Sequence, residues 1–251
     1  MSRLRQVIKW KDITASALRQ RSGLLAIDES REQQRPKTFV VGLNKTGTTS
    51  LAEMARMAGL RVGDQGVAER LADHAIRTSN WMPLINFCKS ADFFQDVPFS
   101  FPGAYQLFDL MFPNSRFILT ERNSSDEWVT SLIRYHSLIC GTKDRPPNAS
   151  DLLALRHISK GWLYRIHRFQ YGVSEDALYD KGQLTRVYDT HKRNVESHFI
   201  SEQSRFAVVN VARNETLREL DRVAPEISAN VAEFPHLNSL SKPVGFGKNR
   251  T

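Results

Sequence analysis

The chain has 251 residues, 41% of them hydrophobic and 25% charged, with a formal net charge of +8. This length and apolar content suit a folded domain with a sizeable core and exclude a disordered or fibrous chain. The 35 basic residues outnumber 27 acidic ones but form no Lys/Arg-rich run, which suits a small polyanionic partner and argues against nucleic acid.

Residues 1–36 read as a basic N-terminal extension (Arg3, Arg5, Lys9, Lys11, Arg19, Arg21) that ends at Pro36. Its isolated apolar residues, such as Val7, Ile8, Trp10, Leu18 and Leu24, allow one helical face. It is either an appendage docked on the domain or on a partner, or disordered. Neither an apolar signal core nor a membrane-length apolar stretch occurs, so the expected compartment is the cytoplasm. Cys88 and Cys140 match no metal-ligand spacing and are expected to be reduced and structural.

Residues 37–251 read as one domain. Thr38–Gly42 is an apolar, β-branched run, a buried strand that breaks into a Gly/Thr-rich turn; Leu51 to Leu60 then has helical character. Further short strands are expected at Leu60–Val62, Ala91–Phe94, Arg116–Thr120 and Phe206–Val211, with helical patterns between them. This alternation predicts an α/β fold, a central parallel sheet of about five strands flanked by helices.

The turn after the first strand carries Lys45-Thr46-Gly47-Thr48-Thr49-Ser50. Strand, glycine turn and helix together present backbone N–H groups and a helix N-terminus to a phosphate. The spacing is not that of a nucleoside-triphosphate P-loop, whose lysine follows the second glycine; here Lys45 precedes Gly47 by two residues. The segment resembles the phosphosulfate-binding loop of sulfotransferases that use 3′-phosphoadenosine-5′-phosphosulfate (PAPS), a P-loop-like fold. The resemblance implies that Lys45 is catalytic beside the bridging oxygen and that Thr46 to Ser50 surround the 5′-phosphate. A second segment, Arg116 to Arg122 followed by Asn123 to Leu132, is similar to the family's 3′-phosphate motif. That motif pairs a strand-end arginine, Arg122, with a hydroxyl in the next helix. Counting eight residues from the arginine selects Thr130; aligning on Trp128 selects Ser131, which is preferred. Arg122-Asn123-Ser124 departs from the family's common Arg-Asp-Pro.

Between the two motifs, Asp96 follows a strand, where it is either a turn or capping aspartate before Pro98 or, as an open α/β sheet aims side chains there, a group in the ligand crevice. A carboxylate there can take the acceptor's proton. The competitor is His191, which shares a helical face with Tyr188; a tyrosine–histidine pair at this spacing recurs near the active site of bacterial and glycan sulfotransferases, although a lone histidine on a helix is more often structural. By the same resemblance Lys242, in a late glycine-containing basic segment, closes over the 3′-phosphate. His157, Lys160, Tyr164, His167 and Tyr171 recur at three- and four-residue steps, either lining an acceptor groove or forming a solvated face.

The implied partners are PAPS and its product adenosine 3′,5′-bisphosphate, with no metal, because Lys45 supplies the charge that Mg²⁺ supplies in kinases. The acceptor, a hydroxyl or amine, stays open among glycan, lipid-linked sugar, peptide tyrosine and small phenol. Two alternatives stand beside this reading: a P-loop nucleotide or small-molecule kinase, and a non-catalytic binding protein that retains the fold.

Overall fold

The computed structural model describes residues 36–143, 145–229 and 231–235. The N-terminal extension through Arg35, and Lys242, lie outside them. Strand β1 (Thr38–Val40) is buried on both faces, as the inner strand of a parallel sheet must be. It pairs on one side with β2 (Phe93–Phe94) and on the other with β3 (Arg116–Thr120), and β3 pairs with β4 (Phe206–Val209). All three pairings are parallel and the strand order is β2-β1-β3-β4.

The crossovers are helical: α1 (Thr48–Met57), α2 (Gln65–Thr78) and α3 (Met82–Phe87) join β1 to β2, and α4 (Ala104–Met111) leads to β3. After β3 come α5 (Ser125–Cys140), α6 (Ala149–Ala154), α7 (Trp162–Tyr171) and α8 (Lys181–His198), with α9 (Leu217–Val223) and α10 (Pro225–Ser228) following β4. Side-chain caps start several of them: Asp64 accepts from the Val67 N–H, Ser124 from Glu127, and Asp180 from Gln183. None is long and apolar enough to cross a membrane among the described residues.

Period-2 alternation sorts the strands' side chains into two cores. Val40, Phe93, Ile118, Ala207 and Val209 pack against α1, α9 and α10. The opposite face carries Phe94, Phe39, Phe117 and Phe206, which are register partners across all four strands. Phe39 stacks with Phe94 at 5.2 Å and Phe117 at 5.6 Å, and Phe199 at the end of α8 stacks with Phe117 and Phe206. Such a row fixes the register, because a one-residue slip would turn every ring to the other face.

The expected strand Leu60–Val62 is reduced to one parallel bridge, Val62 to Phe93, so four strands form the sheet. The backbone leaves the ladder at once: the Gly63 N–H reaches the Phe93 carbonyl, and Asp64 already caps α2. Likewise β4 ends at Val209, because the Asn210 side chain accepts from the Ala212 N–H and turns the chain.

Candidate active site

The strand order places a switch point between β1 and β3. The chain leaves β1 toward β2 on one side and leaves β3 toward β4 on the other, which opens a crevice beyond their carboxyl ends. Both loops singled out in the sequence meet there. Gly42 lets the ends of β1 and β3 touch: a Cβ on it would lie 2.3 Å from the Thr120 carbonyl oxygen. Lys45 and Gly47 both take left-handed backbone, φ 69° and 102°, which curls the loop into a concave turn before α1. Among the described residues, the amides of Lys45 and Gly47 to Thr49 have no hydrogen-bond acceptor, whereas the Thr46 N–H closes the turn at Asn44–Lys45 and the Ser50 N–H returns to the Gly47 carbonyl. The Thr46 hydroxyl bonds the Thr120 hydroxyl at 2.6 Å, tying the loop down rather than facing a ligand. Thr48 and Ser50 are buried and Thr49 is half-buried.

Arg122 binds the two loops together. Its Nε donates to the Lys45 carbonyl at 2.7 Å, its Nη1 lies 3.3 Å from Glu127, and its own N–H donates to the Tyr188 hydroxyl at 2.9 Å. In α5, Glu127, Ser131 and Tyr135 follow at four-residue steps on the face turned to this loop, whereas Thr130 is exposed. The Lys45 ammonium lies 3.6 Å from the centre of the Tyr135 ring. Burial lowers the Lys45 pKa, with Arg122 acting the same way and Asp96 opposing. Asn123, where the family pattern has aspartate, accepts from Asn210 and Arg213 and so joins the β3 loop to the β4 loop.

Asp96 sits two residues beyond β2, also left-handed at φ 59°, just before a cis Val97–Pro98 bond. Its Oδ1 accepts from the Val97 N–H at 2.8 Å. Burial first, then the charge of Glu69, pushes its pKa up to about 6 against the pull of the Val97 N–H and Lys45.

Of the two readings of His191, the structure shows the structural one and not the competing base. Its ring is buried and does not line the cleft beside Asp96; Nε2 lies 2.7 Å from the Val41 carbonyl, to which it must donate. Burial lowers its pKa to about 4, so the ring is neutral at pH 7. Tyr188 and His191 thus hold the backbone at the ends of β3 and β1 respectively.

Beside Asp96 a cleft of about 640 Å³, counting its open mouth, runs between α2, α5 and α7. Tyr135, Tyr171, Trp162, His157 and Glu69 line it, together with aliphatic side chains. Glu69 bonds the His157 ring at 2.7 Å, and the Tyr171 hydroxyl donates to the Asn44 side chain. Of the spaced stripe, His157, His167 and Tyr171 reach this cleft; Tyr164 bonds Glu175 and Lys160 is exposed. The stripe is not one helical face, because Gly161 in left-handed backbone starts α7 after His157 and Lys160. Glu69, Tyr135 and Asn44 were not apparent as site residues from sequence. Only Tyr135, four residues beyond Ser131, carried a local signal.

A parallel α/β sheet with a lysine-bearing glycine loop at its switch point and a carboxylate facing it defines a group-transfer scaffold. The family model described as a sulfotransferase domain matches residues 37–242, and the chain belongs to this family: it is a sulfotransferase. No curated protein matches the chain. Among the described residues no group of His, Cys, Asp and Glu is arranged to hold a metal, and neither cysteine is paired.

Proposed function

We propose that the protein transfers the sulfonate group of PAPS to an acceptor hydroxyl held in the cleft beside Asp96. The observation that carries this reading is the Lys45–Thr49 turn. Its amides from Gly47 to Thr49 have no acceptor, and it is tied through the Lys45 carbonyl to Arg122 at the end of the neighbouring strand. The amides and the α1 N-terminus suit a 5′-phosphate. Arg122 and Ser131, on the α5 face turned to the loop, suit the 3′-phosphate, with Lys242 as a further basic group from the late segment.

PAPS supplies the activated sulfonate. The acceptor oxygen attacks sulfur in line with the bridging oxygen, forming the new S–O bond as the S–O bond to the phosphate breaks. The bonding electrons leave on the 5′-phosphate of adenosine 3′,5′-bisphosphate, and Asp96 takes the acceptor proton. Lys45 swings from the Tyr135 ring to meet the charge growing on the leaving oxygen. His191 and Tyr188 position the strand ends rather than exchange protons.

Calorimetry and thermal shift with adenosine 3′,5′-bisphosphate, AMP and ATP–Mg²⁺ test this reading. The bisphosphate should bind best and, at one hundred times Kd, stabilise the fold by about 2.7 kcal/mol. Equal binding of AMP would remove the roles of Arg122 and Ser131, and a preference for ATP–Mg²⁺ would favour a kinase.

A further inference from the structure

We infer that the acceptor is a small, uncharged aryl alcohol, a flat ring system presenting a phenolic hydroxyl, and not an acidic glycan. This rests on the sulfonate-transfer reading above and concerns what lies opposite the donor. The cleft's enclosed volume of about 140 Å³ is close to that of a cavity able to hold a single aromatic ring, which limits the acceptor to a small molecule. Its walls are rings (Trp162, Tyr135, Tyr171) and aliphatic side chains (Ile139, Leu155, Ile166), surfaces that stack on a flat apolar body.

The charge of the lining decides against an anion. Among the described residues no lysine or arginine lines the cleft, whereas two carboxylates, Asp96 and Glu69, do. Glu69 is held by His157 at 2.7 Å and Gln65 at 3.3 Å, and so is engaged on both oxygens rather than free to bind an ammonium group. The two deeper histidines, His136 and His167, are kept neutral by burial. An anionic acceptor would therefore meet like charge from the two carboxylates, while the Lys45 ammonium against the Tyr135 ring is engaged on the donor side. The proton chemistry points the same way. A base near 6 is far better matched to a phenol of pKa about 10 than to an alkyl alcohol, whose pKa lies near that of water, about 15.7.

The full-length protein with PAPS can be assayed by mass spectrometry against 2-naphthol, 6-hydroxy-2-naphthoate and desulfated chondroitin, with bisphosphate binding measured in parallel. The expected result is sulfonated 2-naphthol, with kcat/KM for the naphthoate lower by about tenfold or more and no product from chondroitin. Leu155→Lys, which places a cation in the wall, should narrow that gap with bisphosphate affinity unchanged. If the bisphosphate binds but chondroitin is sulfonated in preference to 2-naphthol, or 2-naphthol is not turned over, the acceptor inference is overturned and the donor reading stands. If the bisphosphate does not bind, the donor reading itself falls, and the acceptor inference with it.

Discussion

At Asp96 one side chain is pulled in two directions. Its native pKa of about 6 exceeds the usual 3.8, so the folded state holds this proton more tightly than the unfolded chain does. Its contribution to stability is therefore fully present at low pH and is lost as pH rises from about 4 to about 6; at neutral pH the buried charge is a standing cost. Asp96→Asn keeps an oxygen for the Val97 N–H and removes that charge. The variant should be more stable at pH 7, by on the order of 2 kcal/mol, while kcat falls roughly 10²–10⁴-fold. In the native protein kcat/KM should rise with pH through about 6 as the base ionises. A variant that loses both stability and activity would make Asp96 a turn residue only. Lys45 and Arg122 separate differently. Lys45→Ala should lower kcat and leave bisphosphate binding nearly intact, since the amides remain. Arg122→Ala should weaken bisphosphate binding by roughly 1.5–3 kcal/mol and also slacken the loop, because the bond from Nε to the Lys45 carbonyl goes with it.

Helix α8 acts on the site through the backbone at the strand ends. Tyr188 and His191, one turn apart, receive the N–H after β3 and bind the carbonyl after β1, so one rigid element sets the spacing of the loops after both strands. Tyr188→Phe strands the Arg122 N–H, a loss of about 1–3 kcal/mol if that group stays dry. Donor affinity should fall while the acid limb of the pH–rate profile stays where Asp96 sets it; a moved limb, measured as kcat/KM against pH, would place Tyr188 in proton transfer. The elements that were legible in sequence are those whose signal is local. The Thr38–Ser50 strand, turn and helix needs only neighbouring residues, and so does Arg122 at a strand end. The role of His191 was not legible, because its carbonyl partner lies 150 residues away and a ring on a helical face looks the same whether it points to a ligand or to a backbone. The same holds for Glu69 and His157, joined across 88 residues. Leu60–Val62 has strand composition, but the turn at Gly63–Asp64 removes it from the ladder after one bridge.

Across the whole molecule the titrating groups oppose one another, and the balance predicts how the fold responds to acid. His167 and His191 are buried with pKa values lowered to about 4, and His136 is lowered as well. Each ring has fixed partners: His191 with Val41, His167 with the Leu178 carbonyl, and His136 with the Tyr179 hydroxyl. Here the unfolded chain binds protons more tightly than the fold. The stabilisation is fully present above about pH 6.5 and is lost as pH falls through the window down to about 4. Asp96 runs the other way but is one group against three. Net stability should therefore decline by several kcal/mol between pH 7 and pH 4.5, over the same range in which Asp96 is being protonated. Urea unfolding at pH 7.5, 6.5, 5.5 and 4.5 measures this as a falling midpoint at constant m-value. Asp96→Asn should steepen the decline, since it deletes the one opposing group. A midpoint that holds steady down to pH 4.5 would mean that the three rings are not kept neutral by the core, and with it would go the placement of His191 as a buried clamp on β1.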